Sequence, residues 1–256
     1  MILASEWLHP DAVAQLGAHS AFSYEPDLHA DPGALLAAAR SAEALIVRNQ
    51  TRVNAALLDH APRLKVVGRV GVGLDNLELA ALKARGVAVT WAPGTNAVSV
   101  AEWVMGAMVF LARRFGEVSS ALHAGRWDRQ TAVGSELYGK TLGIVGLGDI
   151  GGRLARRAAA FGLRVVAHDP AVQGSALAVQ EFGVTLVDLD TLLAGSDVVS
   201  LHLPLLKATR HLLGAKALAK MKPTAHLINT ARGGLVDEWA LAEALRAGRL
   251  AGAALD

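Results

Sequence analysis

Short apolar runs rich in Val, Ile and Leu alternate along this chain with longer stretches of helical periodicity. "EALIV" (43–47), "KVVGRV" (65–70) and "VAVT" (87–90) each hold too few polar positions for a half-exposed strand, so they predict strands buried on both faces. "NAALLDHA" and "NLELAALKARG" lie between them and predict helices, the second ending at Gly86. "APGTN" (92–96) interrupts the rhythm, and a long helix is expected from about Ala97 to Phe115. The alternation then resumes. "TLGIV", "RVVAHD", "VTLV", "DVVSLHL" and "AHLINT" predict strands, and "DIGGRLARRAAAFG" and "DEWALAEALRAG" predict helices. "LAGAALD" reads as one more strand, ending at Asp256. Repeated strand–helix–strand units imply parallel sheets. Two α/β lobes are therefore expected, residues 1–94 as a substrate-binding lid and residues 95–256 as a nucleotide-binding domain.

Composition narrows the chemistry. With 52% apolar and 19% charged residues over 256 positions, the chain can bury a core. The net charge is +2 with no basic block, so no nucleic-acid partner is expected. There is no cysteine, which removes disulfides, thiolate nucleophiles and Cys-zinc sites, and no metal site is expected. The longest apolar run, Trp103 to Ala112, falls short of the roughly 20 residues that span a bilayer. The start lacks the pattern of a signal peptide, so a cytoplasmic protein with no membrane partner is expected.

Gly146, Gly148 and Gly151 form G-x-G-x-x-G directly after a predicted strand and at the start of a predicted helix. The first glycine permits the tight turn, the second leaves room for a diphosphate, and the third lets the helix pack on the sheet. The helix N-terminus offers free N–H groups and partial positive charge to the phosphates. Asp169 ends the next strand, 18 residues after Gly151. A carboxylate there accepts from the adenosine ribose hydroxyls and repels a 2′-phosphate, favouring NAD over NADP. Because a whole α/β unit precedes the loop, the expected site of hydride transfer is a cleft between the lobes.

Arg232 follows the strand "AHLIN", at the end where α/β sheets bind ligands. Its guanidinium can fork onto two oxygens of a 2-oxo acid, anchoring the carboxylate and polarising the carbonyl. Arg48 and Arg52, in "VRNQTRV", can bind a second anionic group of the substrate or stand as solvated loop charges.

Five ordered segments carry a family resemblance: "VGRVGVGLDNLEL" (67–79), "GTNAVSVAEW" (94–103), "GKTLGIVGLGDIG" (139–151), "LHLPLLKAT" (201–209) and "INTARGGLVDEWALAEAL" (228–245). In these the chain resembles the D-isomer-specific 2-hydroxyacid dehydrogenases, nearest the phosphoglycerate dehydrogenase branch. The resemblance implies a flavodoxin-like N-terminal lobe, a Rossmann-like doubly wound parallel sheet, NAD as cofactor, a small anionic 2-hydroxy or 2-oxo acid as substrate, and a homodimer. It implies that Asp149 and Ile150 meet the diphosphate through their backbones, and that Leu203 and Pro204 line the adenine and nicotinamide-ribose side. It places Thr230, Ala231 and Arg232 near the nicotinamide and Asp256 near its carboxamide. The N–H groups of Val72 and Gly73 would hold the substrate carboxylate. The alternative on the same fold is a non-enzymatic, corepressor-like NAD sensor, which hydride transfer to a 2-oxo acid would exclude.

The family's proton-donating His and its partner Glu lie beyond the strand that ends here at Asp256. The expectation is a chain shorter than the working enzyme, which binds NAD but turns over poorly. Among the nine histidines, His202 is expected to flank the cofactor, His168 to lie near the adenosine and His226 to pack in the core. His9, His19, His29, His60, His123 and His211 suggest no catalytic partner.

Overall fold

The computed structural model describes the whole chain except Ser20, Thr131, Ser175 and the side chain of His19. The chain divides into two compact units, Met1–Asn96 and Ala97–Asp256.

The first unit runs β1 (Ile2–Ala4), α1 (Pro10–His19), β2 (Phe22–Tyr24), α2 (Pro32–Ala39), β3 (Ala44–Val47), α3 (Ala55–Asp59), β4 (Val66–Arg69), α4 (Leu79–Ala84) and β5 (Ala88–Trp91). All five strands are parallel, in the order β2-β1-β3-β4-β5. That is the flavodoxin-like arrangement. The helix starts follow local chemistry. Asp31 accepts from the Ala34 N–H at 3.0 Å with Pro32 in the first turn, and Asn54 accepts from Leu57 at 3.0 Å. Gly86 closes α4 at a φ of +67°, as the sequence suggested. Leu3, Leu45, Val47 and Val67 are fully enclosed and form the centre of this core.

The second unit opens with α5 (Ala97–Ala112) and α6 (Phe115–His123). The single helix expected to reach Phe115 is in fact broken: Arg114 turns left-handed at a φ of 54°, and the chain restarts at Phe115. There follow β6 (Thr141–Val145), α7 (Asp149–Ala160), β7 (Arg164–His168), α8 (Leu177–Phe182), β8 (Thr185–Leu186), α9 (Leu189–Gly195), β9 (Val198–Leu201), α10 (Ala215–Leu218), β10 (His226–Asn229), α11 (Glu238–Arg246) and β11 (Gly252–Leu255). The final strand thus stops one residue short of Asp256. The six strands are parallel in the order β11-β10-β9-β6-β7-β8. Counted within the unit, this is the doubly wound dinucleotide-binding order, with its switch point between β6 and β9. Two cores cover the two sheet faces, one around Met108, Ile144 and Leu154, the other around Leu192, Leu227 and Leu241. Every residue of β6 is buried, which explains its unbroken apolar run. Among the described residues no helix is long and apolar enough to cross a membrane.

Candidate functional site

The buried strand β6 delivers Gly146 to the C-terminal edge of the sheet at a φ of +95°. A Cβ there would lie 2.5 Å from the His202 carbonyl oxygen, so only glycine lets the ends of β6 and β9 approach. Main-chain bonds fix three strand ends together: the Gly146 N–H donates to His168 O at 3.0 Å and the His202 N–H to Val145 O at 2.8 Å. Gly151, in the first turn of α7, faces the Gly146 carbonyl oxygen so closely that a methyl group has no room. Gly148 differs. It caps α7 with extended backbone, and a Cβ on it would meet nothing within 4 Å. The second glycine therefore answers no steric demand of the fold; its surface is left bare.

No side chain caps the N-terminus of α7. Asp149 instead pairs along the helix with Arg153 at 2.8 Å. Asp169 turns inward: its Oδ2 accepts from the Leu147 N–H at 2.8 Å and its Oδ1 from Ala171 at 2.9 Å. The acid that the sequence assigned to a ribose also fixes the glycine loop. An open glycine surface, an uncapped helix start and a half-buried carboxylate on a neighbouring strand fit a dinucleotide diphosphate with its ribose.

Along the same edge, β9 and β10 pair Leu201 with Asn229, so His202 and Thr230 follow at adjacent strand ends. Buried Asn229 ties the next turn, donating from Nδ2 to Arg232 O at 2.9 Å and accepting the Ala231 N–H at 3.0 Å. Arg232, half-buried, donates to Ala231 O at 2.7 Å. The N–H of Asp256 bonds Asn229 O at 3.1 Å, while its side chain is exposed. Leu203 and the exposed Pro204 continue from His202. Two buried polar atoms here have no hydrogen-bond partner among the described residues, His202 Nδ1 and Thr230 Oγ1. Buried groups of that kind are uncommon without a ligand or water to satisfy them, and they too fit a cofactor rich in polar groups. The other His202 nitrogen lies 2.9 Å from Ser200 Oγ, and burial pushes the imidazole pKa down to about 4, so the ring is neutral at pH 7. All cofactor-side residues suggested by the sequence thus lie along one edge of one sheet.

In the first unit the suggested residues also sit at strand ends. Arg48 follows β3, with its guanidinium 5.3 Å from the centroid of the Trp7 ring. Arg52 is exposed four residues on. Val72 and Gly73 follow β4, after Gly71, whose φ of +143° leaves room for the Arg69 guanidinium folded back over it. The Ala92 N–H bonds Gly71 O at 3.2 Å and holds this turn. No hydrogen bond occupies the Val72 and Gly73 N–H groups among the described residues.

Sequence reasoning missed Glu6, Asn76, Asn229 and Ser200. Glu6 is only 2% exposed, and its carboxylate accepts the N–H groups of Arg48, Asn49, Gln50 and Thr51 at 2.7–3.1 Å. Burial raises its pKa, but the N–H groups of Thr51, Gln50 and Arg48, with the Thr51 hydroxyl, outweigh this and hold it below the usual carboxylate value. Asn76 Nδ2 donates to the carbonyls of Arg48 and Thr51 at 3.1 and 2.7 Å. The one available signal was a lone acid inside the apolar stretch "ILASEWL". Of the remaining histidines, His29, His60 and His123 bond main-chain carbonyls three or four residues back. His9 pairs with Asp11, and half-buried His226 is pushed down in pKa by burial and then by Lys140. The side chain of His19 lies outside the described residues.

The family described as "D-isomer specific 2-hydroxyacid dehydrogenase, NAD binding domain" matches residues 105–256. The (S)-sulfolactate dehydrogenase of Chromohalobacter salexigens is 47% identical over 256 residues, which is all of this chain and 82% of that protein. The D-3-phosphoglycerate dehydrogenase of Methanocaldococcus jannaschii is 41% identical over the same length; there the chain spans about half of the relative, 48%. Among solved structures, the D-lactate dehydrogenase from Aquifex aeolicus complexed with NAD and lactic acid superposes with a TM-score of 0.90 at 30% identity. It aligns over all of this chain and 76% of that one.

Proposed function

The chain belongs to the D-isomer-specific 2-hydroxyacid dehydrogenase family, and on that premise we propose that its substrate is a small 2-hydroxy acid, or the matching 2-oxo acid, bearing a second anionic group. The chain is an NAD-dependent oxidoreductase of this family. When bound, NAD would supply the hydride acceptor for C2 of the hydroxy acid as the hydroxyl proton leaves, and NADH the hydride donor for the reverse. The bare surface at Gly146, Gly148 and Gly151, with the N–H groups of Asp149 and Ile150, takes the diphosphate, and Asp169 takes the ribose. Leu203 and Pro204 line the nucleotide, while Thr230, Ala231 and Asp256 lie towards the nicotinamide. Arg232 forks onto the substrate's carboxylate and its reacting oxygen, drawing electron density from C2. Within the first unit, the N–H groups of Val72 and Gly73 are the donors offered to a carboxylate oxygen.

The observation that carries the substrate reading is Arg48, a half-buried guanidinium held beside Trp7 on a loop with a fixed main chain. Two relatives' names support it, since sulfolactate and 3-phosphoglycerate are both three-carbon acids with a second anion. Exposed Trp103, Phe110 and Phe115 on α5 and α6 support a homodimer, and a cytoplasmic location belongs to the same reading.

Calorimetric titration of the NADH-saturated chain with (S)-sulfolactate, D-3-phosphoglycerate and D-lactate tests the substrate class. A charge-assisted contact of about 1.5 kcal/mol makes an acid with a second anion bind about tenfold tighter than lactate. Arg48→Met then removes that preference. Equal affinity across the three acids in the unaltered chain rejects the reading.

A further inference from the structure

Resting on the role given to Arg48, we infer that Glu6 is the positioning residue that sets the preference for substrates with a second anion. It does so by fixing the main chain of residues 48–51.

Glu6 stands just after β1, and both its oxygens are used twice. Oε1 accepts from Arg48 at 2.7 Å and Thr51 at 3.0 Å; Oε2 accepts from Asn49 at 3.1 Å and Gln50 at 3.0 Å. Four successive N–H groups pointing at one anion form a concave nest. Here the anion is part of the protein. A buried carboxylate is costly unless it is fully hydrogen-bonded, and this one is.

The consequence for the loop is geometric. Its N–H groups are turned to the Glu6 side, so they are not offered to a ligand. The carbonyls of Arg48 and Thr51 are held by Asn76. The Thr51 hydroxyl lies 2.8 Å from that of Ser5, both buried. What the loop has left to offer is side chains: Arg48 against Trp7, with exposed Asn49 and Gln50 beside it. Selectivity for a second anion then depends on where one guanidinium is held, and Glu6 determines the backbone that carries it. Glu6 itself, with every acceptor engaged by the main chain, is not a substrate ligand. Replacing it with glutamine keeps the size but turns an NH₂ group toward two N–H donors, which have nothing to accept them.

The test uses the full chain with four substitutions: Glu6→Gln, Glu6→Asp, Asn76→Ala and Arg48→Met. The main readout is the ratio of D-lactate to (S)-sulfolactate dissociation constants with NADH present. Beside it stand amide exchange at residues 48–51 and NADH affinity. Glu6→Gln is expected to speed exchange at Asn49 and Gln50 and to lower the ratio about tenfold, with NADH binding unchanged. Glu6→Asp, which keeps the charge but is shorter, is expected to restore part of the ratio. Should Glu6→Gln fail to fold, Asn76→Ala loosens the same loop from its carbonyl side and is expected to lower the ratio as well. A ratio that stays at the unaltered value while exchange at 48–51 accelerates overturns the inference, as does an unchanged ratio in Asn76→Ala. If Arg48→Met leaves the ratio intact, the substrate reading itself has failed. If Arg48→Met collapses the ratio and Glu6→Gln does not, only the role of Glu6 has.

Discussion

Gly148 is the position where fold and ligand make different demands. Its backbone is extended, with φ −78° and ψ −155°, and a Cβ would meet nothing within 4 Å. Gly148→Ala therefore adds no clash and no backbone strain. It also lowers the entropy of the unfolded chain, so stability should hold or rise by about 0.4–1 kcal/mol. For a unit of this size that is an increase of about 1–4 °C in Tm. If a diphosphate lies on this bare surface, the added methyl stands in its path. Displacing it and losing one or two charge-assisted N–H contacts costs about 1.5–3 kcal/mol, or roughly ten- to a hundredfold in NADH affinity. Thermal melting and NADH fluorescence titration on the same preparation separate the two effects. Unaltered NADH affinity in a variant that melts at or above the parent temperature would show that the diphosphate lies elsewhere.

Gly151→Ala should behave in the opposite way. Its Cβ meets the Gly146 carbonyl oxygen, a main-chain atom that cannot turn aside, so α7 must shift. Overpacking of that kind costs about 1–3 kcal/mol, visible in urea unfolding, and NADH affinity falls with it. His202 makes the fold sensitive to acid. Its pKa is about 4 in the folded chain against an ordinary 6.5, so from pH 6.5 down to 4 the unfolded chain binds a proton that the folded chain refuses. Stability from this residue is complete above pH 6.5 and falls by about 3 kcal/mol as pH drops to 4. Denaturant midpoints of the parent and of His202→Gln at pH 7 and pH 4.5 check this. The parent should lose more than the variant, and equal losses would mean that His202 is not buried as described.

The architecture was legible where single elements are decided locally. β6, β9 and β10 are buried almost throughout, so their sequences are short runs dominated by apolar residues, and the three loop glycines have the spacing that a strand, turn and helix require. β1 and β2 were not legible, because strands of three residues, "ILA" and "FSY", carry no period. Nor was the break at Arg114, where no proline marks the stop and the left-handed residue is an arginine. The supporting residues were the least visible. Glu6 meets its partners 42–45 positions away in sequence, and a lone acid beside a strand end gives no hint of four N–H groups converging on it. Asn229 and Asn76 likewise act through loop main chain, which leaves no periodic trace. Asp169 was picked out for the ribose, yet its hydrogen bond to Leu147 shows that the same acid also shapes the loop.

The glycine edge and Asp169 together are held to be a dinucleotide site that selects against a 2′-phosphate. NADH and NADPH titrated into the chain and into Asp169→Ser, followed by tryptophan fluorescence, decide the matter. The expected result is one NADH bound per chain, at least about tenfold tighter than NADPH, with the gap closing in the variant. NADPH binding as tightly as NADH to the unaltered chain, or an Asp169→Ser variant with the same preference as its parent, would contradict it.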